Sequence, residues 1–194
     1  MSQSNATLVV LLALTACASV PRVGAPSNEL GPAPAEADRI NWPARYGPDR
    51  SEFFVHNEID VAASPEVVWA ELVAAEAWPG WYEGAADVRV TTPAGSTLAA
   101  DAEFSWRTMD QTFVSTVKEF SPPYRLGWES YKNDIQGYHA WLIVPTATGC
   151  RVVTEESQFG FLTLMQKVFV PTKLAALHDR WLLELKRRAE GRMR

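Results

Sequence analysis

Residues 53–73 read FFVHNEIDVAASPEVVWAELV, and the change of period inside this stretch decides the fold. Over 53–61, Phe53, Val55, Ile59 and Val61 fall on one face, with His56, Glu58 and Asp60 on the other. That alternation belongs to a half-buried strand. At Ser64-Pro65-Glu66 the pattern becomes helical. Ser64 suits an N-cap, Pro65 the first helical position, and Glu66 the positive end of the helix dipole. Val68, Trp69, Leu72 and Val73 then supply an apolar stripe. Trp78-Pro79-Gly80-Trp81 breaks this helix and begins a short second turn.

Downstream, alternating segments recur at 86–91, 99–107, 112–120, 125–131, 137–145 and 150–158. Turn chemistry separates them at Pro93-Ala94-Gly95, Met109-Asp110, Pro122-Pro123 and Thr148-Gly149. Residues 162–190 carry a helical period, with Leu174, Leu177, Trp181 and Leu185 as the buried stripe and Pro171 as a kink or restart. His178 falls beside that stripe, on its flank. The expected order is one strand, two short helices, six strands and a long last helix, an α+β fold.

Upstream, residues 8–14 read LVVLLAL and lead through Leu14-Thr15-Ala16 into Cys17. Seven apolar residues are too few to span a bilayer, which takes about 20, but they fit the core of a secretory signal. The approach to Cys17 resembles the lipobox of bacterial lipoproteins, although the leader MSQSNAT carries no Lys or Arg. That resemblance implies a signal peptide over 1–16, cleavage before Cys17 and lipidation of its thiol. It also implies that Ala18, not being Asp, gives no inner-membrane retention signal. The expected location is the cell envelope, anchored and facing the periplasm, or secreted if Cys17 is not lipidated. Residues 17–51 are rich in Pro and Ala and lack either period, so they read as a tether. Within it, Trp42 and Tyr46 either dock on the domain or stay loose.

The whole chain has 194 residues, 18 Lys plus Arg against 23 Asp plus Glu, and a formal charge of −5. No basic face is available for phosphates, which argues against a nucleic-acid partner. Two cysteines exclude a disulfide framework, and Cys150 reads as an inert free thiol. The three histidines stand at 56, 139 and 178 without metal-ligand spacing, so no metal and no cofactor are expected. His56 reads as a solvated residue on the polar side of the first strand. The one basic region is 184–194, where Lys186, Arg187, Arg188, Arg192 and Arg194 face only Glu184 and Glu190. These cations complement the dipole of the last helix or touch anionic lipid, and 191–194 form a basic tail.

Several motifs together resemble the START-like, or SRPBCC, superfamily in its polyketide cyclase/dehydrase and lipid transport branch. They are Ile59-Asp60-Val61 with Ala63-Ser64-Pro65-Glu66-Val67-Val68-Trp69, then Trp78-Pro79-x-Trp81-Tyr82. Glu119-Phe120-x-Pro122-Pro123-x-Arg125-Leu126-x-Trp128 and His139-x-Trp141 follow in order. The resemblance covers residues 52–190. It implies the helix-grip fold: a curved seven-stranded antiparallel sheet wrapped around the long C-terminal helix, with a cavity between them.

Hairpin turns fix which residues face each other. A turn at Ala147-Thr148 sets Ile143 opposite Val152, Trp141 opposite Thr154 and His139 opposite Glu156. The Pro122-Pro123 turn sets Val117 opposite Trp128 and Ser115 opposite Ser130, with Glu119 breaking the register at a bulge or rim. The Met109-Asp110 turn sets Trp106 opposite Phe113 and Phe104 opposite Ser115. Extended across the sheet, one row reads Thr154, Trp141, Trp128, Val117 and Ala102. Its neighbour reads Glu156, His139, Ser130, Ser115 and Phe104. A polar band beside a Trp wall, under the long helix, implies mutual hydrogen bonding, water or a ligand.

The candidate ligand-binding residues are therefore Phe104, Trp106, Ser115, Trp128, Ser130, Trp141, Thr154 and Trp181. His139, oriented by Glu156, is the candidate acid or base, although such a pair also serves structurally. Three readings stay open. One is a membrane-anchored domain holding a hydrophobic small molecule or lipid. The second is a cyclase- or dehydratase-like enzyme acting on a polyketide-type substrate. The third is a protein-interaction module whose Trp side chains leave no cavity.

Overall fold

A computed structural model of the chain describes residues 38–91, 95–132 and 134–192. The apolar run at 8–14, Cys17, most of the tether and Arg194 lie outside those residues. From Phe53 the order is β1 (Phe53–Val61), α1 (Pro65–Val73), a 3-10 helix (Ala75–Gly80), β2 (Ala86–Thr91), β3 (Glu103–Thr108) and β4 (Gln111–Ser121). Then come β5 (Arg125–Lys132), β6 (Ile135–Thr146), β7 (Gly149–Phe159), α2 (Phe161–Phe169) and α3 (Lys173–Gly191). All strands pair antiparallel in one seven-stranded sheet, ordered β1-β7-β6-β5-β4-β3-β2. It is the helix-grip arrangement, with α3 against the concave face.

Ser64 occupies the N-cap of α1 with extended backbone, and Pro65 follows it. Its hydroxyl, however, makes no capping bond to a helix N–H. It bonds the Glu66 carboxyl instead, which that bond and a backbone N–H hold below the usual carboxylate range. Three hairpin registers match expectation. His139 faces Glu156 and Trp141 faces Thr154, Ser115 faces Ser130, and Phe104 faces Ser115. Met109 and Asp110 both adopt positive φ, 49° and 62°, the backbone of a tight two-residue hairpin turn. A bulge lies between Val117 and Glu119, where the alternation fails.

The β5–β6 register departs from the expected rows. Trp128 faces His139, and Leu126 faces Trp141. Both strands run further than their alternation indicates, so Lys132 pairs with Ile135 and only positions 133 and 134 remain for the turn. The offset is two residues. Every side chain keeps its face but meets a different neighbour. The continuous inner row is thus Glu156, His139, Trp128 and Val117.

The C-terminal region is two helices, because the chain leaves helical geometry at Val170 before Pro171 and restarts at Lys173. The buried stripe of α3 is also rotated from the expected one. It contains Leu174, His178, Trp181, Leu182, Leu185 and Ala189, and Leu177 is only half-buried. His178, expected on the flank, is 1% exposed.

Trp42 and Tyr46 dock on the outer face of the sheet. Tyr46 stacks on Tyr138 with ring centroids 5.5 Å apart, and its hydroxyl bonds Glu129. Trp42 packs on the edge of Phe54 and donates its indole N–H to Glu155. The segment before β1 is therefore ordered against the sheet at Trp42 and Tyr46.

The cations at the basic end of α3 have acidic partners within the protein. Arg188 and Arg192 both pair with Glu71 of α1, which is 1% exposed. Lys186 pairs with Glu190, and Arg187 with Glu184. His56 is likewise not free, since its Nδ1 lies 2.7 Å from Glu155, and that hydrogen bond raises its pKa. Cys150 is buried, which pushes its thiol up to about 11 and suits an inert residue.

Candidate functional site

Trp181 is the hub beneath the sheet. Its ring stacks on Tyr82 at 4.4 Å and meets Trp78 at 4.9 Å and Trp141 at 5.1 Å, with Trp106, Trp128 and His139 also around it. Offset and edge-on rings of this kind pack favourably beyond their buried area. The cluster fills one half of the space between sheet and α3. Trp128, Trp141, Phe104 and Thr154 are fully enclosed there.

The other half is open. A cavity of about 310 Å³ lies between the β3–β4 hairpin, the far ends of β5–β7, and helices α2 and α3. Of the eight expected ligand-binding residues, Trp106, Ser130 and Trp181 reach its wall, as do His139 and Glu156. Phe104, Ser115, Trp128, Trp141 and Thr154 do not, because they are packed behind it. The serine part of the polar band satisfies itself: Trp106 donates to Ser115 Oγ at 3.0 Å, and the Ser115 and Ser130 hydroxyls lie 2.8 Å apart. A cavity and a Trp-filled core thus coexist side by side.

At the polar end of the cavity three groups from three elements converge. His139 Nδ1 (β6) lies 3.3 Å from Glu156 Oε2 (β7), and His178 Nε2 (α3) lies 3.1 Å from the same oxygen. The two imidazoles stack, with centroids 4.6 Å apart and planes inclined by 22°. Thr154 Oγ1 holds the far nitrogen of His139 at 2.7 Å. Gln158 Nε2 donates to the other Glu156 oxygen at 2.5 Å.

Burial, together with the neighbouring His178, lowers His139 to about 3, and the Glu156 charge only partly opposes this. Burial pushes the Glu156 carboxyl up, but the His178 hydrogen bond, both imidazoles and Gln158 outweigh it and leave the carboxyl below its ordinary range. Near neutral pH the pair is a neutral imidazole beside an ionised carboxylate. It can hold a cation, and its donor set is one that Zn2+ and Fe2+ accept, whereas so low a basicity makes His139 a weak proton acceptor near neutral pH.

Helix α2 covers the cavity. Leu162, Met165, Gln166 and Phe169, spaced at i, i+3, i+4 and i+7, turn toward it. Phe161 and Val168 on the other side are 64% and 70% exposed, and Leu164 lies with them in solvent. Gly160 lets the chain turn sharply from β7 into this helix: its φ is 113°, and a Cβ there would strike the Asp134 carbonyl at 1.8 Å.

His178, Tyr82 and the α2 residues are cavity residues that the sequence does not mark as part of the site. Leu174, His178, Trp181 and Leu185 follow helical spacing as well as the stripe containing Leu177 does, so the signal for His178 was present.

A family model described as polyketide cyclase/dehydrase and lipid transport matches residues 53–190. No curated protein resembles the sequence closely enough to count as a match. Among solved structures, a hypothetical protein of Helicobacter pylori is 25% identical with a TM-score of 0.74, over 81% of this chain and 99% of that one. A START superfamily protein of Mycobacterium smegmatis is 18% identical with a TM-score of 0.53, over 72% and 95% respectively. The di-domain aromatase/cyclase BexL of the BE-7585A biosynthetic pathway is 17% identical with a TM-score of 0.59, over 71% of this chain and 50% of that protein. The last two likenesses bear on fold alone.

Proposed function

The chain belongs to the polyketide cyclase/dehydrase and lipid transport family, matched over 53–190, and from that premise we propose that it binds a hydrophobic small molecule or lipid in the cavity beneath α2. The observation that carries this reading is the α2 helix itself. One of its faces lines the cavity, while the opposite face offers Phe161, Leu164 and Val168 to solvent. A helix apolar on both sides is poorly suited to water but well suited to passing an apolar molecule between a membrane surface and a cavity. Its only charge is Lys167, and no acidic residue lies between 157 and 178.

The envelope setting belongs to the same proposal. Lipidation of Cys17 would tether the domain within reach of a bilayer. Among the described residues no helix is long and apolar enough to cross one. Two measurements test the reading. Delipidated protein should bind one equivalent of an apolar fluorescent dye, displaceable by fatty acid, and absence of saturable binding would refute the cavity function. A Cys17→Ala chain should fail to incorporate labelled fatty acid, and unchanged labelling would refute the anchor.

A second reading, acid–base chemistry on a polyketide-type substrate, is favoured by the position of the His139–Glu156 pair on the cavity wall. Under it, His139→Gln lowers turnover at least about 100-fold, the usual scale of a general base. Turnover unaffected by that substitution would remove it.

A further inference from the structure

The convergence of His139, Glu156 and His178 has a meaning independent of what fills the apolar part of the cavity. Their donor atoms lie within 4.8 Å of one another. A first-row divalent cation with bonds of about 2.0–2.2 Å holds its ligands roughly 3–3.5 Å apart. Two of the three separations, 3.1 and 3.3 Å, already have that value. Spacing along the chain conceals the set, because each ligand comes from a different element.

For two of the three groups the atom pointing away from the centre is tied in place, while the outward Nδ1 of His178 is enclosed without a partner. Thr154 holds Nε2 of His139, and Gln158 holds the outer oxygen of Glu156. Outer-shell bonds of this kind fix ring and carboxylate orientation in metal sites. The inward atoms serve one another less well. Nδ1 of His139 is enclosed yet makes no hydrogen bond of good geometry, although a carboxylate oxygen stands 3.3 Å away. In a site 3% exposed, an unpartnered ring nitrogen is destabilising. A cation among the three groups would engage Nδ1 of His139, Nε2 of His178 and a Glu156 oxygen together.

We infer that His139, Glu156 and His178 form a binding site for one divalent transition cation of the Zn2+ or Fe2+ kind. Two imidazoles and one carboxylate favour such ions over Ca2+ and Mg2+, which take oxygen ligands. The remaining coordination positions open into the cavity, where an oxygen of a bound molecule completes the shell.

The test is a Co2+ titration of the full chain after chelator treatment, read by visible d–d absorption. One equivalent should bind, and Zn2+ should displace it. Glu156→Gln and His178→Gln should each abolish stoichiometric binding. Thr154→Val keeps all three ligands and should weaken binding about 10–100-fold. His56→Ala alters the exposed cluster with Glu58 and Glu155 and should change nothing. No stoichiometric binding by the wild type overturns the inference, whatever the variants do. So does binding that survives His178→Gln or disappears in His56→Ala. Because the titration uses no apolar ligand, its failure is distinct from failure of the cavity reading.

Discussion

His178 Nε2 on α3 lies 3.1 Å from Glu156 Oε2 on β7, and this contact pins the C-terminal helix to the sheet at the most polar point of the cavity. The histidine is 1% exposed. Its removal leaves the carboxylate enclosed with one donor fewer. His178→Leu should therefore cost about 2–4 kcal/mol, by the usual scale for a buried charge losing its partner. Urea denaturation measures this. Adding Glu156→Gln should recover part of the loss, because the uncompensated charge is then gone. Independent, additive effects would contradict the coupling.

The pH dependence follows from His139. Its folded-state pKa is about 3 against an ordinary 6.5, so the unfolded chain binds a proton that the native protein rejects. Stability is complete above pH 6.5 and falls as pH drops from there toward 3. Glu156, also lowered, acts in the same direction at the acid end of that window. The urea midpoint should decline steadily below pH 6.5, and His139→Gln should flatten the decline between pH 6 and 5. An equal slope in the variant would contradict the assignment.

Gly137 stands at the cavity wall, where an added Cβ meets Gln158, Glu156 and the Ser157 carbonyl no closer than 3.4 Å. A branched side chain is thus tolerated at its root and extends into the open space. Gly137→Ile should weaken dye binding at least tenfold, while changing stability by less than about 1.5 kcal/mol. Undiminished binding would place the ligand elsewhere.

The solvent-facing side of α2 makes a separate prediction. Phe161→Ser with Val168→Ser should cut association with anionic phosphatidylglycerol vesicles several-fold, since each exposed side chain that enters a bilayer contributes about 1–3 kcal/mol. The protein should keep its stability, because neither residue is buried. Equal vesicle association would refute a membrane-facing role for this helix.

Much of the fold was legible because even-length turns fix register. Met109-Asp110 and Ala147-Thr148 set the pairings of β3 with β4 and of β6 with β7. The β5–β6 pairing differs from expectation because Ile135, Gln136 and Lys132 extend the strands beyond their clear alternation, closing the loop to two positions. The site was legible only in part. Pairing assigned Trp128 and Trp141 to the inner face, but not the distance from that face to α3. Where the helix sits close, around Trp181, the rings meet and make core. Where α2 lifts away, space remains. The sequence leaves His178 on the flank because an apolar stripe through Leu177 satisfies helical period equally well. A buried histidine is recognised by its partner across the sheet, which no local pattern contains.

Native mass spectrometry of the full chain, purified gently and without added ligand, tests the central claim most directly. The expected spectrum shows wild-type protein carrying one noncovalent small-molecule or lipid adduct, released by organic solvent and absent from Gly137→Ile. A wild-type spectrum with no adduct, before and after incubation with fatty acids and phospholipids, would contradict the cavity's assigned role.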